Sequence, residues 1–107
     1  MKYRVFISAD AEKDLFEIYR HISTYDSPQN AEKLKAHLEK ACLGLSEFPD
    51  RGHTPPELER IGVFEYQEIH YKTYRIIYQV IRRNVYVHCI LDSRRDLQEM
   101  LEKRLLR

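Results

Sequence analysis

The segment Tyr74–Ile81, YRIIYQVI, constrains the fold more than any other part of the chain. Read with the two-residue period of a strand, both of its faces are apolar apart from Arg75 and Gln79. A strand that is apolar on both faces needs cover on both, so it belongs inside a sheet with other elements packed above and below. Arg75 is then a guanidinium in the middle of a central strand, which is unfavourable to bury unless it is paired or faces a cleft. Two arrangements satisfy it. Either Arg75 and Gln79, which share a face, line a concave anion-binding site, or Arg75 forms a buried salt bridge with a carboxylate such as Glu65 or Asp96.

The remaining sequence supplies the neighbours such a strand requires. Residues 3–8 (YRVFIS) alternate and read as a first strand. Asp10 is the expected N-cap of a helix carrying Leu15, Ile18, Tyr19 and Ile22 at helical spacing to about Ser23. Ser27–Pro28 starts a second helix, with Ser capping and Pro in the first turn. Its apolar stripe runs through Ala31, Leu34, Leu38, Ala41, Cys42, Leu45 and Phe48, and Pro49 ends it. Few residues join the two helices, so they pair as an antiparallel hairpin. Residues 49–62 are a loop by their Gly and Pro content. Strands at 63–71 and 84–92 flank the central one through two-residue turns at Lys72–Thr73 and Arg82–Arg83. Asp96 caps a charged helix over residues 97–106, with Glu99 completing the capping box, and its Leu97, Met100, Leu101 and Leu105 pack loosely on the sheet. The expected fold is α+β, ordered β-α-α-β-β-β-α, with a helical hairpin on one face of a twisted antiparallel sheet and residues 1–107 in one domain.

No run approaches the roughly 18 apolar residues of a membrane span. The opening MKYRVFISADAEKD lacks the pattern of a signal peptide, so a cytoplasmic location is expected. Cys42 and Cys89 lie in apolar patterns without CxxC spacing. They read as two buried thiols, with a disulfide as the other reading. A net charge of +1 hides an uneven distribution. Residues 1–68 hold nine Lys/Arg and 13 Asp/Glu, giving −4; residues 69–107 hold nine and four, giving +5. This split implies an anionic partner for the C-terminal half, or else neutralisation by the other half within the fold.

Candidate chemistry is sparse. Arg94 and Arg95, just past the last strand, could grip a phosphate together with Arg75, or they could sit in a solvated turn. Five of the eight tyrosines (Tyr66, Tyr71, Tyr74, Tyr78, Tyr86) lie in the three-strand meander, where packing in the sheet is the ordinary role and base stacking the alternative. His53, His70 and His88 show no metal-ligand spacing, so no metal or other cofactor is expected. His70 could act as an acid–base group if it faced the same cleft as Arg75, although a turn separates the two in sequence. Phosphate loops and nucleophile elbows are missing from the sequence.

Several words of the sequence, in their order and spacing, resemble the RelE/ParE toxin superfamily over nearly the whole chain. They are YRVFIS with its AEKDL helix, F-P-x-R-G at 48–52, PPEL at 55–58, YRIIYQV at 74–80, a strand ending in Asp92, and RRD at 94–96. The resemblance implies a microbial-RNase-like fold, the toxin role in a type II toxin–antitoxin pair, growth arrest by the free toxin, and a cognate antitoxin that wraps it. Operator DNA is then contacted only through the antitoxin. RelE-like members cleave mRNA on the ribosome, using lysines on the strand before YRIIYQV, an Arg within it and basic residues near the C-terminus. Here those roles would fall to Arg75, Arg95 and His70, but Tyr66 and Glu68 stand where the lysines belong. Without lysines the scissile phosphate loses its electrostatic stabilisation. That departure resembles the ParE branch, whose members bind DNA gyrase without hydrolysing RNA. The reading that follows is a non-enzymatic gyrase inhibitor, with a ribosome-dependent endoribonuclease as the alternative and a decayed locus that only binds antitoxin as a third. Arg75, Gln79, Arg94 and Arg95 would form the toxic, anion-facing surface. The antitoxin would lay a helix near Leu15, Ile18, Tyr19 and Leu38.

Overall fold

A computed structural model describes residues 2–94 and 97–106. The chain runs β1 (Arg4–Ile7), α1 (Ala9–Tyr25), α2 (Pro28–Gly44), a 3-10 turn (Pro49–Arg51), α3 (Pro56–Glu59), β2 (Gln67–Tyr71), β3 (Tyr74–Ile81), β4 (Asn84–Asp92) and α4 (Gln98–Leu105). The four strands form one sheet in the order β1-β4-β3-β2. The expected α+β fold with its helical hairpin is present. β2, β3 and β4 are an antiparallel meander, as their two-residue connections require, whereas β1 lies parallel to β4. Lys72 and Arg82, the first residue of each turn, take φ of +54° and +58°. Neither is Gly, so each carries a small backbone strain to reverse the chain in two residues.

β3 is interior and covered on both sides. Toward one side, Tyr74, Ile76 and Tyr78 join Val85, Val87 and Ile90 of β4 against Ala11 and Leu15 of α1 and Leu38 and Cys42 of α2. Toward the other, Ile77 joins Cys89 and Leu91 under Leu58 of α3 and Leu97 and Leu101 at α4. Leu97 and Leu101 are fully buried, so α4 packs tightly as the second cover, not loosely. The two cysteines are free, buried and on opposite sides of the sheet, and burial pushes both thiols up to about 12.

Beyond shifts of a residue or two at element ends, four features differ from the sequence reading, each for a local reason. Ser8, not Asp10, caps α1: its Oγ accepts from the Ala11 N–H at 3.1 Å, and Asp10 instead sits in the first turn, where a carboxylate favours the helix dipole. Ser27 caps α2 as expected, accepting from the Asn30 N–H at 3.0 Å. Phe48 is 67% exposed and outside the stripe, because α2 ends at Gly44, one turn earlier. The expected loop at 49–62 contains a 3-10 turn and a short helix opened by Pro56. β2 begins only at Gln67, because Val63 still closes α3 through its N–H to the Leu58 carbonyl, with Gly62 at φ +76° making the exit turn. Asp96, the expected cap of the last helix, lies outside the described residues.

β1 pairs with β4 only from Asn84 to Val87, so the outer edge of β4 beyond that point needs other partners. Asp14 of α1 accepts from the Ile90 N–H at 3.0 Å. Arg104 of α4 donates to the His88 carbonyl at 2.8 Å and to both Asp14 oxygens at 3.1 Å. One ion pair thus closes the open edge and ties together the helices of the two layers.

The F-P-x-R-G turn also has a steric cause. The Tyr78 hydroxyl is buried, donates to the Pro49 carbonyl at 2.7 Å and accepts from the Gly52 N–H at 3.2 Å. A Cβ on residue 52 would overlap that hydroxyl and come within 2.7 Å of the Glu68 carbonyl oxygen. Gly52→Ala is therefore expected to lower unfolding free energy by about 1–3 kcal/mol. At Gly44 an added Cβ meets nothing within 4 Å, so Gly44→Ala should be neutral or stabilising by up to about 1 kcal/mol. Urea unfolding of both variants checks the contrast.

Candidate functional site

The residue most informative in the sequence, Arg75, lies at the centre of a charged cluster on the α3–α4 side of the sheet. It is 6% exposed. Glu57, from the first turn of α3, grips it bidentately, with Oε2 on one terminal nitrogen at 2.6 Å and Oε1 on the other at 2.7 Å. Glu68 of β2 takes the remaining Nε–H through Oε1 at 2.5 Å. Of the two arrangements open to Arg75, the buried salt bridge is the one found, but its partners are Glu57 and Glu68, not Glu65 or Asp96. Strand pairing explains Glu68, which lies on the neighbouring strand and the same face. Helix α3 explains Glu57, because a short helix started by Pro56 aims its second residue at the sheet. Hydrogen bonding to Glu57 raises the Arg75 pKa above its ordinary value. Reciprocally, the hydrogen bonds from Arg75 hold the Glu57 carboxyl below the usual carboxylate range, against the smaller opposing effect of burial.

Around Glu68, itself 1% exposed, two histidines converge. His53 pairs with Glu68 as a one-residue extension of the sheet edge, donating its N–H to the Glu68 carbonyl at 3.1 Å and accepting from the Glu68 N–H at 2.7 Å. Its Nε2 lies 3.1 Å from Glu68 Oε2. His70, the direct cross-strand partner of Arg75, places Nε2 3.6 Å from Glu68 Oε1. The turn between His70 and Arg75 therefore brings them together instead of separating them. Donor atoms of His53, Glu68 and His70 all lie within 4.8 Å of one another. Sequence spacing missed this triad. Glu68 and His70 share a face by their period of two, but His53 comes from a Pro/Gly-rich stretch without any period.

The other anion-facing candidates do not gather here. Gln79 is hydrogen-bonded to His88 at 3.2 Å, and burial, aided by the positive Arg104, holds the His88 imidazole below its ordinary pKa. Arg94 is exposed and folds back on Asp92, at 2.6 Å for the closest pair. Arg95 lies outside the described residues. Lys72 is at one end of the meander, beside Arg94, and Arg82 and Arg83 are at the other, about 25 Å away for an eight-residue strand. The tyrosines mostly take their ordinary role: Tyr74 and Tyr78 are core, Tyr66 donates to the Leu105 carbonyl at 3.2 Å, and Tyr71 stacks on His37. Among the expected antitoxin contacts, Leu15 and Leu38 are buried between hairpin and sheet and offer no surface. Ile18 and Tyr19 are half-buried on α1, Ile18 packed against the edge of the core and Tyr19 under Lys35 of α2. No helix among the described residues is long and apolar enough to cross a membrane.

The family described as ParE toxin of type II toxin–antitoxin system, parDE, matches residues 5–97 of this chain. Among solved structures, the chromosomal ParDE TA system from P. aeruginosa is similar, with a TM-score of 0.72 and 16% identity over 85% of this chain and 96% of that one. The RelBE2 toxin–antitoxin complex from Mycobacterium tuberculosis is similar at a TM-score of 0.64 and 20% identity, over 86% of this chain and 92% of that one. At such identities these likenesses bear on the fold alone. No curated protein matches the chain.

The cluster makes two checkable statements. Arg75→Met leaves two carboxylates facing each other in a buried setting and should reduce unfolding free energy by about 3–5 kcal/mol in urea. The pH dependence has a definite sign. Glu57 has a folded pKa below its ordinary 4.5, so its stabilising effect is complete above pH 4.5 and is lost as pH falls through the lowered value. The slope of stability below pH 4.5 should therefore be smaller in Glu57→Gln than in the parent chain, measured by urea unfolding across that range.

Proposed function

Because the chain belongs to the ParE toxin family of type II toxin–antitoxin systems, we propose that it is a toxin that acts by binding and not by hydrolysis, with DNA gyrase as its target and a cognate antitoxin as the partner that silences it. The observation that carries this reading is the state of Arg75. Ribonuclease chemistry on this scaffold needs a preorganised cation facing the phosphate whose charge develops in the transition state. Arg75 is the cation that the resemblance places in that role. Glu57 and Glu68 engage Nε and both terminal nitrogens of its guanidinium, and Glu68 stands beside it where an incoming phosphate would be repelled. Tyr66, at the other position where a lysine is wanted, is buried and engaged with the Leu105 carbonyl.

The antitoxin reading draws on the two similar structures, both of toxin–antitoxin systems. On this chain, α1 offers the surface for it. Phe16 is 56% exposed there, with the half-buried Tyr19 one turn further along the same side, while Ile18 lies on the side turned to the sheet. Ile18 opens onto a groove whose walls include Asp14, Glu17, Tyr74 and Asp92. An amphipathic antitoxin helix laying an apolar anchor against Ile18 and a basic residue against Glu17 would suit that groove.

Purified protein is expected to inhibit gyrase supercoiling, and the small protein encoded by the adjacent reading frame is expected to reverse the inhibition. Mapping mRNA ends after induction should show no new cuts. Codon-specific cleavage within minutes, with gyrase unaffected, would establish the endoribonuclease instead. Absence of growth arrest on induction would leave only antitoxin binding.

A further inference from the structure

Glu68 is a carboxylate almost wholly withdrawn from solvent, yet two partly exposed imidazoles, His53 and His70, lie against it. Oε1 is engaged by Arg75 and Oε2 by His53. The three charged groups of the cluster, Glu57, Glu68 and Arg75, sum to −1, so the site carries an uncompensated negative charge at low exposure. His53 and His70 keep 62% and 48% of their side chains exposed, so a ligand can reach them from solvent.

We propose that His53, Glu68 and His70 form a binding site for a borderline divalent transition metal of the zinc type. Two imidazole nitrogens and one carboxylate oxygen are a donor set that such ions favour over calcium or magnesium, which take oxygen ligands. In a tetrahedral zinc site with bonds near 2.0–2.1 Å, donor atoms lie about 3.3 Å apart. The His53 Nε2–Glu68 Oε2 separation of 3.1 Å is close to that value, His70 Nε2 lies 3.6 Å from the neighbouring oxygen Oε1, and donor atoms of all three residues lie within 4.8 Å of one another. Rotation of exposed imidazoles about their side-chain bonds closes the remaining gap, while the backbone positions are already fixed by the His53–Glu68 bridge and the β2–β3 pairing. The ion takes Oε2, replacing the His53 hydrogen bond, and leaves Oε1 on Arg75, which becomes the outer partner that orients the ligating carboxylate. A fourth position stays open to water or to a group from a bound partner. Since His53 lies on the 49–62 segment and the other two ligands on β2, the ion staples that segment to the sheet edge. Neither thiol competes, because Cys42 and Cys89 are buried.

The test uses the full, untagged chain with zinc alone and with cobalt(II) as a spectroscopic substitute. Titration calorimetry is expected to show one saturable zinc per chain. The melting temperature should rise with zinc concentration, and cobalt should give the visible absorption of a low-coordinate site. His53→Ala and His70→Ala, each at an exposed side chain and each checked for an unchanged circular dichroism spectrum, should weaken binding at least about tenfold and abolish the cobalt bands. His21→Ala, on α1, should leave both intact. Failure to see saturable binding overturns the proposal, as does binding that survives either substitution. None of these readouts depends on toxicity, so the site stands or falls separately from the gyrase reading.

Discussion

The structure depends on how a guanidinium is kept inside a sheet. Arg75 occupies an interior strand, and a buried charge is tolerated only where charge and hydrogen bonds are both matched. The match is assembled from three places: β3 supplies the cation, β2 supplies Glu68 by strand register, and α3 supplies Glu57. This requirement gives the 49–62 segment its shape. The two prolines at 55 and 56 start a helix whose Glu57 reaches Arg75 while Leu58 drops into the core beside Ile77 and Leu97. Gln98 of α4 then donates to the Glu57 carbonyl at 2.9 Å, so the last helix is referenced to the same cluster. Such a pair does not contribute much net stability against an apolar replacement, but removing one member strands the others, and in that sense it specifies where α3 and β2 must sit.

A second ion pair solves a different problem at the opposite edge. Because β1 is short, half of β4 would present unpaired backbone to solvent, and an open edge invites pairing with another chain. Asp14 and Arg104 occupy those backbone groups and face each other while doing so. Burial, the largest influence on Asp14, pushes its carboxyl pKa up, and Arg104 and the Ile90 N–H pull against it. An acid held there despite burial fits a role that needs the carboxylate's acceptors more than its charge.

Much of this is legible in the sequence itself. β3 and β4 have the boundaries that alternation and turn spacing give, and so do the Ser27–Pro28 start of α2 and the double cover over β3. What was not legible shares one property: it depends on contacts between segments far apart in sequence. Ser8 could be recognised as the cap of α1 only once β1 was known to stop at Ile7. Glu57 lay in a stretch whose composition reads as loop, because a four-residue helix has no period to detect. His53 is joined to Glu68 and His70 by a single bridge across the sheet edge, and no spacing rule reaches across a Pro/Gly-rich segment. Leu15 and Leu38 sat on correctly read amphipathic stripes. Periodicity says which face of a helix is apolar but not whether that face meets the protein's own sheet or a partner, and here the sheet takes it.

The charge asymmetry follows the same logic, and resolving it bears on recognition. Nine cations against four acids in the C-terminal 39 residues suggest a basic surface when read along the chain. In the fold the two halves interleave. Arg75 is neutralised by Glu57 and Glu68, and Arg104 by Asp14 with Asp10 at its rim, so acids from the N-terminal half cancel the cations best placed to line a central cleft. Of the described cations on the meander and its turns, Lys72 and Arg94 on one side and Arg82 and Arg83 on the other are exposed and sit at opposite ends of it, with Lys103 exposed separately on α4. Charges that far apart are beyond the screening length of about 8 Å at physiological salt, so they act as two separate patches and not as one field. A single phosphate bound at the centre of the sheet would find acids there; a large partner spanning both ends of the meander would find cations at each. On the proposed reading of a toxin that acts by binding, that distribution of charge is what a broad recognition surface needs.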